Sequence, residues 1–438
     1  MLSAAARRFA ASPVQPHDRT RRRWAADLDL NRNPGPPAPD PGTRLASHDF
    51  LLLWAVGGIG NAMRWLEVLA AALFTLDATG SEFAVAAVSA ARSLPLIFTG
   101  ALAGVLADAF DRRVIVAGGM ALSALAAGMV ALLSWAGLLL PWHLFAFGLV
   151  GGVVYGTDMS ARRRMTGESV VPSLAPRAIA LDSLTTSATR AAGPLLGGVA
   201  YEAFGITGTF AASALFSLGA AVLAARVRHT QTGRRLSPAA IVADLAEAVA
   251  VVRRSSVLLA LLAVTLAQNL FGFAYTSLVA PAGRDVFAVS AALVGVLAAA
   301  EPAGATLGGV VLALGATVRG RKTWLLLGGA AWFMAMLALT AALPWFWPCC
   351  GLLLVGGLGI ALYSNEQTTI ALGETPAPVR SRVMGLLTTA VGGWPLGMLL
   401  AGWLADHIGP LDAMATLGVA GLLWLAVVAI AYARRRTR

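Results

Sequence analysis

Several ionisable and amide side chains stand inside long apolar runs of this chain. Arg64 and Glu67 lie near the middle of one run and Arg92 somewhat off the centre of the next. Arg190, the pair Gln268 and Asn269, and Glu301 occupy three others, while Asp182 and Glu366 lie nearer the ends of theirs. A charge at the middle of a bilayer costs about 2.5–3.5 kcal/mol or more, so residues placed this way face a cavity, pair with one another, or both. The chemistry open to them is ion pairing, proton uptake and recognition of the polar part of a solute. Arg64 and Glu67 are three apart and share a helix face, so they either neutralise each other or open onto a cavity. Arg190 has no acid at helical spacing on its outward side, and a partner on another helix, such as Glu67, is open to it. Glu301 precedes Pro302 and has no local cation. A carboxyl group in apolar surroundings favours its protonated form, which makes Glu301 and Glu67 candidate proton carriers. Three arginines (Arg64, Arg92 and Arg190) against two central glutamates favour an anionic or oxygen-rich solute, unless Asp182 balances the sum. Phe271, Phe273, Tyr275, Trp332, Tyr363 and Trp394 offer aromatic surface to a bulky molecule, or simply pack.

The elements that position these groups follow from composition. The chain is 58% hydrophobic and 13% charged, with a mean hydropathy of +0.73. A soluble protein carries about twice that charge, so the apolar excess must face lipid. A membrane helix needs about 20 mainly apolar residues. Twelve runs meet this length: 50–76, 82–107, 113–136, 141–161, 178–202, 205–226, 257–281, 288–315, 322–343, 346–371, 383–405 and 409–432. These are spans one to twelve. The expected organisation is a basic, proline-rich cytoplasmic tail over 1–47, a six-helix bundle over 48–226, a linker over 227–256 and a second bundle over 257–438. In the linker, Ile241, Leu245, Val249 and Val252 recur at helical spacing after Ser237-Pro238, which predicts an amphipathic surface helix.

The formal net charge of +11 would suit nucleic acid, but the arginines sit in turns between apolar runs and read as topology signals. With the N-terminus in the cytoplasm, all but four of the 33 Lys and Arg residues fall in cytoplasmic tails and loops. The four are Arg64, Arg92, Arg190 and Arg284. Both ends are therefore expected inside, with Trp135, Trp142, Trp345 and Trp347 as an outer aromatic belt.

Two internal repeats divide the chain in half. The turn between spans two and three packs Gly100, Gly104, Asp108, Asp111, Arg112 and Arg113. Gly309, Gly320, Arg321 and Lys322 match Gly100, Asp111, Arg112 and Arg113, with Thr317 in place of Asp108. Leu184-Thr185-Thr186 recurs as Leu387-Thr388-Thr389, and Gly198, Glu202 and Gly205 match Gly402, Asp406 and Gly409. Duplicated hydrophobic halves are a mark of secondary transporters.

On these residues the chain resembles the major facilitator superfamily. Gly104, Asp108, Arg112 and Arg113 resemble that family's signature turn, with Asp111 where a Gly is usual. Gly193-Pro194-Leu195-Leu196-Gly197-Gly198 in span five resembles the Gly-Pro motif of its proton-coupled exporters, although Thr189 replaces an upstream glycine. Arg92-Ser93-Leu94-Pro95 and Arg380 to Gly385 resemble the branch of the enterobactin exporter and macrolide efflux proteins. The Arg and the Gln-Gly pair of many drug antiporters are missing from 144–157. The resemblance implies an all-α integral membrane fold of twelve helices in two pseudo-symmetric six-helix bundles. It also implies proton-coupled export of a small amphipathic molecule, drug or siderophore-like, by alternating access in the bacterial inner membrane.

It further implies a cytoplasmic latch. Asp108 would cap the amide end of span eleven near Val383 to Gly385, where the helix dipole favours an anion, and Arg112 would pair with Asp158. Arg113 belongs to the latch or only sets topology. Gly193, Pro194, Gly197 and Gly198 would allow close packing and a bend where the halves meet. Gln268 and Asn269, with Arg64, Arg92 and Arg190, would line the cavity. The expected partners are the solute, protons and lipid, with the chain as a monomer and no nucleic acid.

No phosphate-binding loop of the Gly-x4-Gly-Lys-Ser/Thr kind occurs. The five histidines are scattered, and no metal or cofactor is expected. Adjacent Cys349 and Cys350 offer no disulfide framework. No nucleophile–base set lies within the spans, so an enzyme is not expected. A passive carrier or importer of the same fold is the nearest alternative, and a non-transporting membrane sensor a distant one.

Overall fold

The computed structural model describes residues 47–95, 111–228, 249–315, 320–375 and 379–436; they are almost wholly helical, with no strand among them. All of the described residues belong to one compact unit. Ten described helices are long and apolar enough to cross a membrane. One of them, Ala175–Ala225, has 51 residues and holds spans five and six. Gly205 breaks it with φ 63° and ψ −173°, a conformation that glycine adopts without penalty. The helix Glu82–Ala91 begins span two. The described helices thus follow eleven of the expected spans in order, and Glu82–Ala91 lies at the start of the remaining one.

Helix starts obey local chemistry. Ser47, Asp111 and Ser255 each accept a hydrogen bond from a backbone N–H of the turn that follows, as N-caps do. Some boundaries differ from expectation. Span four is helical over Pro141–Glu168 rather than 141–161, so the Arg162 to Arg164 run belongs to a helix and not to a loop. Span seven is irregular: an α-helix over Ser256–Ala267 widens into a π-turn over Gln268–Gly272 and tightens to 3-10 geometry over Phe273–Ser277. Span eleven is made of Arg380–Val391 and Gly393–Ile408. Of the expected linker helix, Ile241 and Leu245 lie outside the described residues. Residues 249–254 are helical, and Val252 is buried in one apolar cluster with Leu258 and Ile370.

The first half is tied together at one end, here termed the basic end. Ser47 Oγ donates to the Ser169 carbonyl at 2.8 Å. The Arg228 N–H reaches Asp49 Oδ1 at 3.2 Å, and the Arg113 guanidinium donates to the Ala225 carbonyl. The far end is where the two halves meet, and glycines permit the approach. A Cβ on Gly198 would run into the Ala291 carbonyl of span eight, and one on Gly402 would come within 2.9 Å of the Glu82 carbonyl of span two.

Candidate functional site

The polar centre of the first half is built from spans one, two, four, five and six. Glu67 is buried, and both of its oxygens are engaged. Arg92 Nη2 donates to Oε2 at 2.5 Å, and Ser213 Oγ donates to Oε1 at 2.5 Å. Arg92 also donates through Nη1 to the Arg64 carbonyl at 2.9 Å and lies over Phe147. Glu67 therefore neutralises Arg92 on span two, and not Arg64 or Arg190. Each of its two oxygens is already engaged by a donor other than its helical neighbour. Arg64 instead stacks on Tyr155, with Cζ 3.5 Å from the ring centroid, and lies 5.3 Å from the centre of Trp65. One turn into the extension of span four, Arg162 bonds two acids. Its Nε reaches Asp158 Oδ2 at 3.1 Å and its Nη1 reaches Asp182 Oδ1 at 2.5 Å. Arg64, Glu67, Arg92, Tyr155, Asp158 and Arg162 share the wall of one cavity.

A second polar centre joins the halves. Arg190 Nη2 bonds Glu301 Oε2 at 2.7 Å, and the Tyr275 hydroxyl reaches the same oxygen at 3.3 Å. Glu301 is fully buried; its cation, absent from its own helix, comes from span five. Arg190 also lies 5.5 Å from the Phe273 ring centre. Trp65, Arg190, Pro194, Tyr275, Glu301 and Pro302 line a second cavity. A larger recess of about 480 Å³ opens beside Arg190, between Ser187 and Pro302 on one side and Ser364 and Asn365 on the other.

Span five is wedged between the halves. A Cβ on Gly193 would stand 2.5 Å from the Trp65 Cβ, and one on Gly197 2.8 Å from the Leu66 carbonyl, both on span one. On its other side, the Pro194 carbonyl would lie 2.7 Å from a Cβ on Gly295 of span eight. Gln268 and Asn269 face a different setting from the one expected. Gln268 is fully buried against Gly272, with neither side-chain polar atom hydrogen-bonded. Asn269 turns back to the Thr265 carbonyl at 2.8 Å.

A residue-by-residue comparison decides the family. The sequence profile of the transmembrane secretion effectors, a family of the major facilitator superfamily, matches residues 41–437. The chain belongs to this family of transporters. Macrolide efflux protein A of Streptococcus pyogenes is 24% identical over 374 residues, covering 82% of this chain and 90% of that protein. An uncharacterised major facilitator transporter of Bacillus subtilis, YfiS, is 28% identical over 169 residues, covering 38% of this chain and 39% of that one. Among solved structures, a bacterial homologue of the lysosomal transporter Spinster, inward-facing and unoccupied, superposes with a TM-score of 0.68 at 14% identity, covering 88% of this chain and 95% of that chain. A point mutant of the nucleoside transporter NupG gives a TM-score of 0.66 at 14% identity, covering 88% and 99%. Both share the fold.

In this transporter the expected latch changes partner. Gly104 and Asp108 lie outside the described residues. Arg112 does not hold Asp158: its Nη1 bonds both carboxylate oxygens of Glu168, at 2.9 and 3.0 Å. Asp158 lies ten residues, about 15 Å along a helix, from Glu168, and one of its oxygens already belongs to Arg162. Arg113 donates to the carbonyl end of span six, where a helix dipole favours a cation.

Three further residues carry contacts that their sequence setting concealed. Arg162 was hidden in a basic run. Glu202 and Asp406 are repeat partners that perform one task twice. Glu202 Oε2 accepts the Ala292 N–H at the start of span eight, at 2.8 Å. Asp406 Oδ1 accepts the Phe83 N–H at the start of span two, at 3.1 Å, and Asp406 Oδ2 accepts the Ser81 hydroxyl at 3.4 Å. The matched spacing of Gly198 with Glu202 and of Gly402 with Asp406 was the signal that could have found them. Among the described residues, no group of His, Cys, Asp and Glu could hold a metal ion.

Proposed function

We propose that the transporter exports a small amphipathic molecule in exchange for protons by alternating access, in a bacterial inner membrane with both chain ends in the cytoplasm. The observation that carries this is the Arg190–Glu301 pair, in which a half-buried arginine of the first half meets a fully buried acid of the second beside the central cavity. Protonation of Glu301 removes the charge that holds Arg190, so proton binding and separation of the halves are linked. Glu67, whose two oxygens serve Arg92 and Ser213, is the lesser candidate for the proton.

The far end, closed by the glycine contacts and the two carboxylate caps, is then the outer gate. The basic end is the inner gate, where Asp108 and Gly104 would act with Arg112 and Arg113. The cargo class rests on the likeness to macrolide efflux protein A and on the aromatic wall around Trp65, Phe273 and Tyr275.

The test is transport in proteoliposomes under an imposed pH gradient, with wild type and Glu301→Gln. The expected outcome is gradient-driven accumulation by wild type and its loss in the variant. Transport that ignores the gradient and survives a protonophore would make the protein a passive carrier and sink the exchange reading.

A further inference from the structure

We infer that the cavity of the first half is a recognition site for an organic anion, with Arg64 as the residue that pairs with its carboxylate. This deepens the exporter reading and rests on it. Among the described residues, each other arginine buried in the spans has an acid. Arg92 has Glu67, Arg162 has Asp158 and Asp182, and Arg190 has Glu301. Arg64 has none within ion-pair distance, and its Nε is buried without a hydrogen-bond partner.

The acids nearby are each paired with another arginine. Glu67, three residues away on the same helix, spends one oxygen on Arg92 and the other on Ser213. Asp158 lines the same cavity but directs one oxygen to Arg162. The Tyr155 ring lies against the Arg64 guanidinium, and the Nε–H is left for an acceptor. A guanidinium edge matches a carboxylate through paired hydrogen bonds. Met63, Met120 and Val154, which line the same cavity, offer apolar surface to the rest of such a molecule. Among Arg64, Arg92, Arg162 and Arg190, Arg64 is thus the one that has no acid of its own.

Asp158 Oδ1, also without a partner, sets the sign of a control: it would repel a bound anion and attract a bound cation. The experiment measures binding of 2-naphthoate, 2-naphthylmethylamine and 2-naphthol to the purified full chain in nanodiscs of neutral lipid, where no anionic headgroup competes. Gradient-driven export of the same compounds is followed in proteoliposomes.

Naphthoate should bind wild type best. Arg64→Gln should weaken it at least about tenfold, the loss expected of a charge-assisted hydrogen bond. Arg64→Lys should weaken it less, and Asp158→Asn should leave it equal or tighter. A wild type that prefers the amine, fails to bind naphthoate, or binds it unchanged after Arg64→Gln overturns the inference. Gradient-driven export of the amine or naphthol in that case leaves the exporter reading standing. Absence of gradient-driven export for all three compounds, with naphthoate binding as expected, counts against the exporter reading alone.

Discussion

The two halves close on each other in the same way but hold charge differently. At the far end, Glu202 on span five caps span eight, and Asp406 on span eleven caps span two, each beside a glycine that admits the neighbouring backbone. Deeper in, the symmetry fails. The first half holds Glu67 with Arg92, and Arg162 with two aspartates. The corresponding depth of the second half holds no ion pair among the described residues: Gln367 donates to Thr265 Oγ1 at 2.8 Å and to the Tyr363 hydroxyl at 2.7 Å, and the buried Glu366 beside it accepts the Asn365 amide at 3.3 Å. Its buried Glu301 is satisfied from across the interface. A duplicated framework has thus kept its hinge and diverged in its chemistry. Ionic recognition is concentrated in the first half, and the second supplies an acid that only the first can neutralise.

The largest effect that could break this contrast is on stability. Arg92→Leu leaves Glu67 buried with only Ser213, and an uncompensated buried charge costs about 3–5 kcal/mol. Gln367→Leu removes neutral hydrogen bonds worth about 1 kcal/mol each. Thermal unfolding in detergent should show a much larger loss for Arg92→Leu. The double variant Glu67→Gln, Arg92→Gln should recover part of it. Equal losses at Arg92 and Gln367 would mean that the first half is no more ionic in energy than the second.

A smaller effect probes the shared framework. Valine at Gly198 or at Gly402 must displace backbone across the interface, and overpacking of this kind costs about 1–3 kcal/mol. The two costs should be similar. Gly219→Ala, where an added Cβ meets nothing within 4 Å, should be neutral or slightly stabilising, since alanine favours a helix. A large cost at only one of Gly198 and Gly402 would show that the halves do not close symmetrically.

The framework was legible in the sequence because its signals are local. Apolar length marks the spans, basic turns mark their ends, and Gly198 with Glu202 against Gly402 with Asp406 marks the repeat. The pairing of charges was not legible, because its partners are distant. Arg190 and Glu301 are 111 residues apart, and Glu67 and Arg92 are 25 apart. Periodicity within one helix says nothing about which helix lies opposite. Arg162 was misread for a different reason. It stands in a run of three arginines that resembles a topology signal, yet the helix continues through it to Glu168. Arg162 is thereby turned inward and buried, while Arg163 and Arg164 remain exposed. The Arg112 partner was misplaced by the same extension, which carries Glu168 to where a loop was expected.

The smallest effect is the sharpest test of symmetry. Each carboxylate cap satisfies backbone N–H groups that a helix start leaves open, and removing such a cap costs about 0.5–2 kcal/mol. Glu202→Ala and Asp406→Ala should each shift the balance of closed and open far ends by about fivefold for a loss near 1 kcal/mol. The caps lie on separate helices and share no partner, so their effects should add. The double variant should then shift it by about 25-fold. The reporter is a cysteine at Ser89, which lines the cavity between the halves, with Cys349 and Cys350 replaced by alanine. A charged maleimide added from the far side should label it faster in each variant, and fastest in the double. Equal single effects would make the two caps one device used twice. If only one variant accelerates labelling, closure depends on one contact, and the repeat has diverged at its gate as well as in its core.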